Sequence, residues 1–93
     1  PLVRARLVEL ASEVPRLVVV GATSSGHEGI ALSASLHPDV IIVDVMVSDV
    51  SGVALIAAVK AGQPAVIVLA LTDIQIPGLE RHYVEAGAHA VFV

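Results

Sequence analysis

Apolar and polar positions along this chain follow two periods that change places several times. Val3, Leu7, Leu10, Ala11 and Val14 recur at helical spacing, with Arg4, Arg6, Glu9, Ser12 and Glu13 on the other side. This predicts an amphipathic helix stopped by Pro15. Leu17-Val18-Val19-Val20, closed by Gly21 and the Ser24-Ser25-Gly26 cluster, predicts a strand buried on both faces. A second helix runs from about His27 to Leu36 and ends at the His37-Pro38 step, because the residue before a proline is pushed out of the helical region. Val40-Ile41-Ile42-Val43 predicts the next strand and delivers Asp44 at its carboxyl end. Ser51 is placed to cap a third helix that runs through Lys60 and is closed by Gly62 and Pro64. Val66 to Leu71 predicts a third strand leading into Thr72 and Asp73. Pro77 suits the first turn of a fourth helix, Gly87 ends it, and Ala88 to Val93 predicts a last strand.

The predicted order is helix and strand in strict alternation, with connections too short for anything but right-handed crossovers between parallel strands. The fold class is therefore α/β with a doubly wound parallel sheet. Since the alternation opens on a helix that no strand feeds and closes on a strand that no helix covers, residues 1–93 read as a single domain, incomplete at both ends. That reading implies one strand before Pro1 and one helix after Val93.

Composition narrows the function classes. Hydrophobic residues make up 56% and charged residues 15%, so a disordered chain is excluded and a sheet covered on both faces is expected. The net charge of −4 arises without any basic cluster, which leaves no patch for nucleic acid or an anionic membrane. Absence of cysteine removes thiolate chemistry and disulfides and suits a reducing cytoplasm. The apolar run Ala65 to Leu71 is far below the roughly 20 residues that span a bilayer.

In an open parallel sheet, ligands bind beyond the carboxyl ends of the strands, so the groups to weigh are Gly21 to Gly26, Asp44 to Gly52 and Thr72-Asp73. Asp44 directly follows a run of apolar residues, where a carboxylate must be hydrogen-bonded, metal-bound or at the rim. Two roles fit it. One is a strand-end residue capping a loop; the other is a nucleophile toward a phosphoryl donor, with a divalent cation and a hydroxyl or ammonium steadying the phosphoryl oxygens.

The stretch Asp39-Val-Ile-Ile-Val-Asp44-Val-Met-Val-Ser-Asp-Val-Ser-Gly52 resembles the central signature of bacterial response-regulator receiver domains. Val18-Val-Val-Gly-Ala, Gly26-His-Glu-Gly-Ile-Ala-Leu, Leu36-His-Pro-Asp-Val and Glu85-Ala-Gly-Ala-His are similar, in order and spacing, to receivers of LuxR/FixJ-type regulators. The resemblance implies a flavodoxin-like, three-layer α/β/α fold. It also implies that Asp44 accepts a phosphoryl group from a sensor histidine kinase. With it come Mg2+ held by Asp44 and the backbone carbonyl of Met46, and a switch hydroxyl at Thr72; alignment on the apolar strand alone places Ala70 there instead. Other implications are a signalling role without substrate turnover, a cytoplasmic location, homodimerisation, and DNA contact only through a transcriptional output domain outside these residues. Val47-Ser48 replaces the usual Met-Pro, and Val91 takes the place of the switch aromatic, with Phe92 on the opposite face. Those departures keep a second reading open, a non-phosphorylated receiver that acts as a dimerisation or protein-docking module.

Weaker signals read as structure. Gly21 to Gly26 has the glycine spacing of a phosphate loop, but His27-Glu28 stands where Lys-Ser/Thr is needed, so a strand-to-helix turn is expected. His27, His37, His82 and His89 lack ligand spacing and are expected at the surface. Asp49 and Asp73 suit turns or helix starts, and Leu79 and Tyr83 share a helical face that packs on the sheet.

Overall fold

A computed structural model describes residues 2–44, 49–72 and 77–92, with residues 2–4 traced by their backbone. Among the described residues four helices, α1 (Leu2–Ser12), α2 (Gly26–Leu36), α3 (Gly52–Gly62) and α4 (Leu79–Ala86), alternate in part with three strands, β1 (Val40–Asp44), β2 (Ile67–Leu71) and β3 (Ala90–Phe92). The strands form a parallel sheet in the order β1-β2-β3. Val43 lies level with Ala70 and Asp44 with Leu71; Ala70 lies level with Val91 and Leu71 with Phe92.

The helices begin and end where their chemistry dictates. Ser25 caps α2 by accepting from the Glu28 N–H, and Ser51 caps α3 by accepting from Ala54 N–H at 3.1 Å. Each side-chain oxygen satisfies a donor that the helix itself leaves open. Past Ser12, the chain tightens through Glu13 N–H to Leu10 O and Val14 N–H to Ala11 O before Pro15 withdraws its donor. α4 ends at Gly87, whose φ of +127° carries the chain into β3. A side chain there would also strike Lys60, because a Cβ on Gly87 would stand 2.6 Å from Lys60 Cγ.

The core lies on one face of the sheet. Val43, Val68 and Ala70 meet Leu55, Ile56 and Val59 of α3 and Tyr83 of α4, with Val66 and Ala88 closing the edges. Ile56 and Val68 are wholly buried, and each such side chain contributes roughly 1.5–3 kcal/mol by leaving water. Leu79 packs against the same core as Tyr83, on the helical face their spacing predicts. Two polar links brace the helices around this core. Gln63 Nε2 donates to both Ser33 O and Ser33 Oγ at 2.6 Å, joining α3 to α2, and Lys60 Nζ donates to the carbonyls of Pro64 and Val66 at 2.8 and 2.9 Å.

The structure departs from the sequence reading in three places. Leu17 to Val20 form no strand; the segment is exposed, Val18 to 78%, and pairs with no strand among the described residues. β-branched residues favour extended backbone, yet a strand exists only where a neighbour completes its hydrogen bonds. The sheet is buried on one face, since Ile42, Ile67 and Phe92 on the other face are about half exposed. Finally, α4 starts at Leu79, two residues after Pro77, because Gly78 takes a φ of +88° that a right-handed helix does not contain.

Candidate functional site

The carboxyl ends of the three strands make the rim on which the candidate residues stand. Asp44 is the last residue of β1 and is half-buried. Parallel pairing with β2 sets it level with Leu71, which is level in turn with Phe92. Thr72 follows Leu71 by one residue, is 6% exposed, and donates its backbone N–H to Phe92 O at 2.9 Å. Its hydroxyl-bearing position is thus fixed just past the end of the ladder. Ala70 lies level with Val43, one step before Asp44, and is fully buried without a hydroxyl to offer. Met46, Val47, Ser48 and Asp73 lie outside the described residues.

Past the end of β1, Asp49 binds the start of α2. Its Oδ1 accepts from Gly26 N–H at 2.9 Å, and its Oδ2 accepts from Ser25 Oγ at 2.8 Å and from His27 N–H at 3.1 Å. The Gly26 N–H, then the His27 N–H and then the Ser25 hydroxyl hold its carboxyl well below the usual carboxylate range, because each stabilises only the charged form. The N-terminus of α2 adds its partial positive charge to the same effect. Val50 closes the contact: a Cβ on Gly26 would stand 3.1 Å from Val50 Cβ and Cγ2. Ser51 then caps α3.

Asp49 therefore does start-of-helix work, as its residue type suggests, but for a helix 22 or more residues upstream. Nothing local to Asp49 encodes that partner. The same contact explains the Gly21 to Gly26 loop, because two of the donors a phosphate would use are already taken by a carboxylate. Val91 and Phe92 occupy opposite faces as expected, Val91 half-buried beside Ala70 and Phe92 51% exposed. All four histidines are exposed.

Among the described residues, no three His, Cys, Asp or Glu side chains gather as a metal cluster. An octahedral magnesium shell would find only part of its oxygens in Asp44 and Met46, so these residues alone do not make the site. A shallow groove lined by Pro38, Asp39 and Gln63 to Ile67 lies at the amino ends of β1 and β2, away from this rim. No helix among the described residues is long and apolar enough to cross a membrane.

Comparison with known proteins supplies independent evidence. The protein-glutamate methylesterase/protein-glutamine glutaminase 3 of Anaeromyxobacter dehalogenans is 38% identical over 91 residues, which are 97% of this chain and 27% of that protein. The chain spans about a quarter of the length of the curated relatives it matches. In structure it is similar to a DNA-binding response regulator of the LuxR family from Staphylococcus aureus, with a TM-score of 0.89, 20% identity, and coverage of 98% of this chain and 76% of that one. It is also similar to a response regulator from Burkholderia pseudomallei solved with a phosphorylated aspartic acid, a calcium ion and citrate, with a TM-score of 0.81, 26% identity, and coverage of 97% and 52%. These likenesses place the α/β architecture in the flavodoxin-like receiver fold. With the family model for the response regulator receiver domain matching residues 1–93 from end to end, the chain belongs to that family.

Proposed function

We propose that residues 1–93 are the phosphorylation switch of a two-component response regulator, with Asp44 as acceptor and a sensor histidine kinase as donor. The observation that carries this reading is the position of Asp44, a half-buried carboxylate ending β1 on the strand-end rim, with Thr72 one residue past the end of β2. One oxygen of Asp44 attacks the phosphorus of the kinase phosphohistidine. The P–N bond breaks, its electron pair returns to the imidazole, and an acyl phosphate remains on Asp44. The Thr72 hydroxyl is the group proposed to bond a phosphoryl oxygen and report the change. Mg2+, when bound, would offset the charge brought together, with Asp44 and the Met46 carbonyl as two of its ligands.

Exchanging the single charge of the carboxylate for the roughly two of an acyl phosphate then biases the surrounding loops and the α4–β3 face toward a new partner or a second copy of the chain. The receiver itself turns over no substrate in this reading, and its place is the cytoplasm. A transcriptional, DNA-binding output is the proposed readout, as in the LuxR-family structure named above; the methylesterase relative marks an enzymatic output as the competing one.

A second reading, a non-phosphorylated docking or dimerisation module, draws on Val91 at the switch-aromatic position, where a half-buried Val has no ring to rotate. One experiment separates the two. Full-length protein incubated with Mg2+ and a small-molecule phosphodonor is expected to gain the mass of one phosphoryl group, labile to hydroxylamine, and Asp44→Asn is expected to gain none. An unchanged intact mass in folded wild-type protein favours the docking module.

A further inference from the structure

Between the end of β1 at Asp44 and the start of α3 at Gly52, three consecutive residues are each committed to a neighbour. Asp49 binds the first turn of α2, Val50 covers Gly26, and Ser51 caps α3. The other end of the loop is held by the pairing of Asp44 with Leu71. Only four residues separate these two anchors, which limits how far apart Asp44 and Asp49 can lie.

We infer that Asp49 is a positioning residue for phosphoryl transfer: by clamping the acceptor loop to Ser25, Gly26 and His27, it fixes the geometry in which Asp44 meets its donor. The inference rests on the reading of Asp44 as the phosphoacceptor. Three features support it. The contact uses both carboxylate oxygens, so the plane of the group is set as well as its distance. Glycine at 26 permits this close approach, since a Cβ there would also stand 3.3 Å from Asp49 Oδ1 and would push Val50 and Asp49 back by a few tenths of an ångström. The contact links segments 22 to 24 residues apart, so it is not required to form either the α2 or the α3 hydrogen-bond ladder. Fixing a reacting group in advance is worth large factors in rate, and small misplacements forfeit them.

The test follows the rate at which full-length protein acquires a phosphoryl group from a small-molecule phosphodonor with Mg2+, normalised to folded protein well below the melting temperature. Asp49→Asn and Gly26→Ala disturb the clamp from its two sides. Each is expected to slow the reaction on the order of tenfold, and the double variant is expected to lose no more than the worse single one. Asp49→Glu, which keeps the charge and both acceptors, is expected to recover part of the rate. Gly87→Ala, which destabilises the fold away from the clamp, is expected to react at the wild-type rate per folded molecule. Wild type that reacts while Asp49→Asn reacts equally fast overturns this inference alone. So does a Gly87→Ala variant slowed as much as Asp49→Asn, since general destabilisation then explains both. Wild type that never gains a phosphoryl group overturns the acceptor reading, and this inference with it.

Discussion

Asp49 is exposed and yet is the most strongly perturbed carboxylate among the described residues, and the two facts are compatible because its environment is a set of donors, not a cavity. Its folded-state pKa is depressed below that of the unfolded chain. A group of this kind contributes stability that is present above the unfolded value, about 4 for Asp, and is lost as the pH falls through the folded value. Wild type is therefore expected to melt above Asp49→Asn at neutral pH, with the two midpoints converging as the pH falls below about 4. Parallel midpoints at all pH values would show that ionisation of Asp49 contributes nothing. Residue type alone marked Asp49 as a helix-start residue, and that much was legible. Its partner was not, because Ser25, Gly26 and His27 lie on a segment brought near only by the packing of α2 against α3. Gly87 is the opposite case. Its role as a terminator was readable from sequence, and the structure adds the Lys60 contact. At φ +127° and with Lys60 Cγ in the way, Gly87→Ala is expected to cost more than about 1 kcal/mol in urea unfolding.

At the scale of elements, the helices were readable because their signals are local. Ser51 before an apolar run and Gly87 after one are instructions that need no distant partner. Ser51→Ala is accordingly expected to lower stability by about 1 kcal/mol, measured by urea unfolding, while the β1 to β3 sheet stays intact by circular dichroism. Strands are different, because their existence depends on pairing. Val40 to Val43 and Leu17 to Val20 carry nearly the same text, but β1 pairs along its length with β2, whereas the earlier run has no ladder neighbour among the described residues. Pro77 misled for a related reason. Its fixed φ suits a first helical turn, but the glycine that follows it turns the chain the other way.

For the whole molecule, the high apolar and low charged content predicted two covered sheet faces, and the described structure covers one. The surplus is visible on the other face and beside it, at Val18, Ile42, Ile67 and Phe92. The topology still does what matters for the site. Parallel strands send Asp44, Thr72 and Phe92 to one rim, although Thr72 and Phe92 lie 28 and 48 positions from Asp44 in sequence. In the proposed function, phosphoryl transfer ends on Asp44 and nowhere else. Borohydride reduction of the phosphorylated full-length protein, followed by peptide mass mapping, converts an acyl-phosphate aspartate to homoserine and so locates it. Homoserine is expected at position 44 and unmodified aspartate at positions 39, 49 and 73; homoserine at any of those three, or at none of the four, would contradict Asp44 as the acceptor.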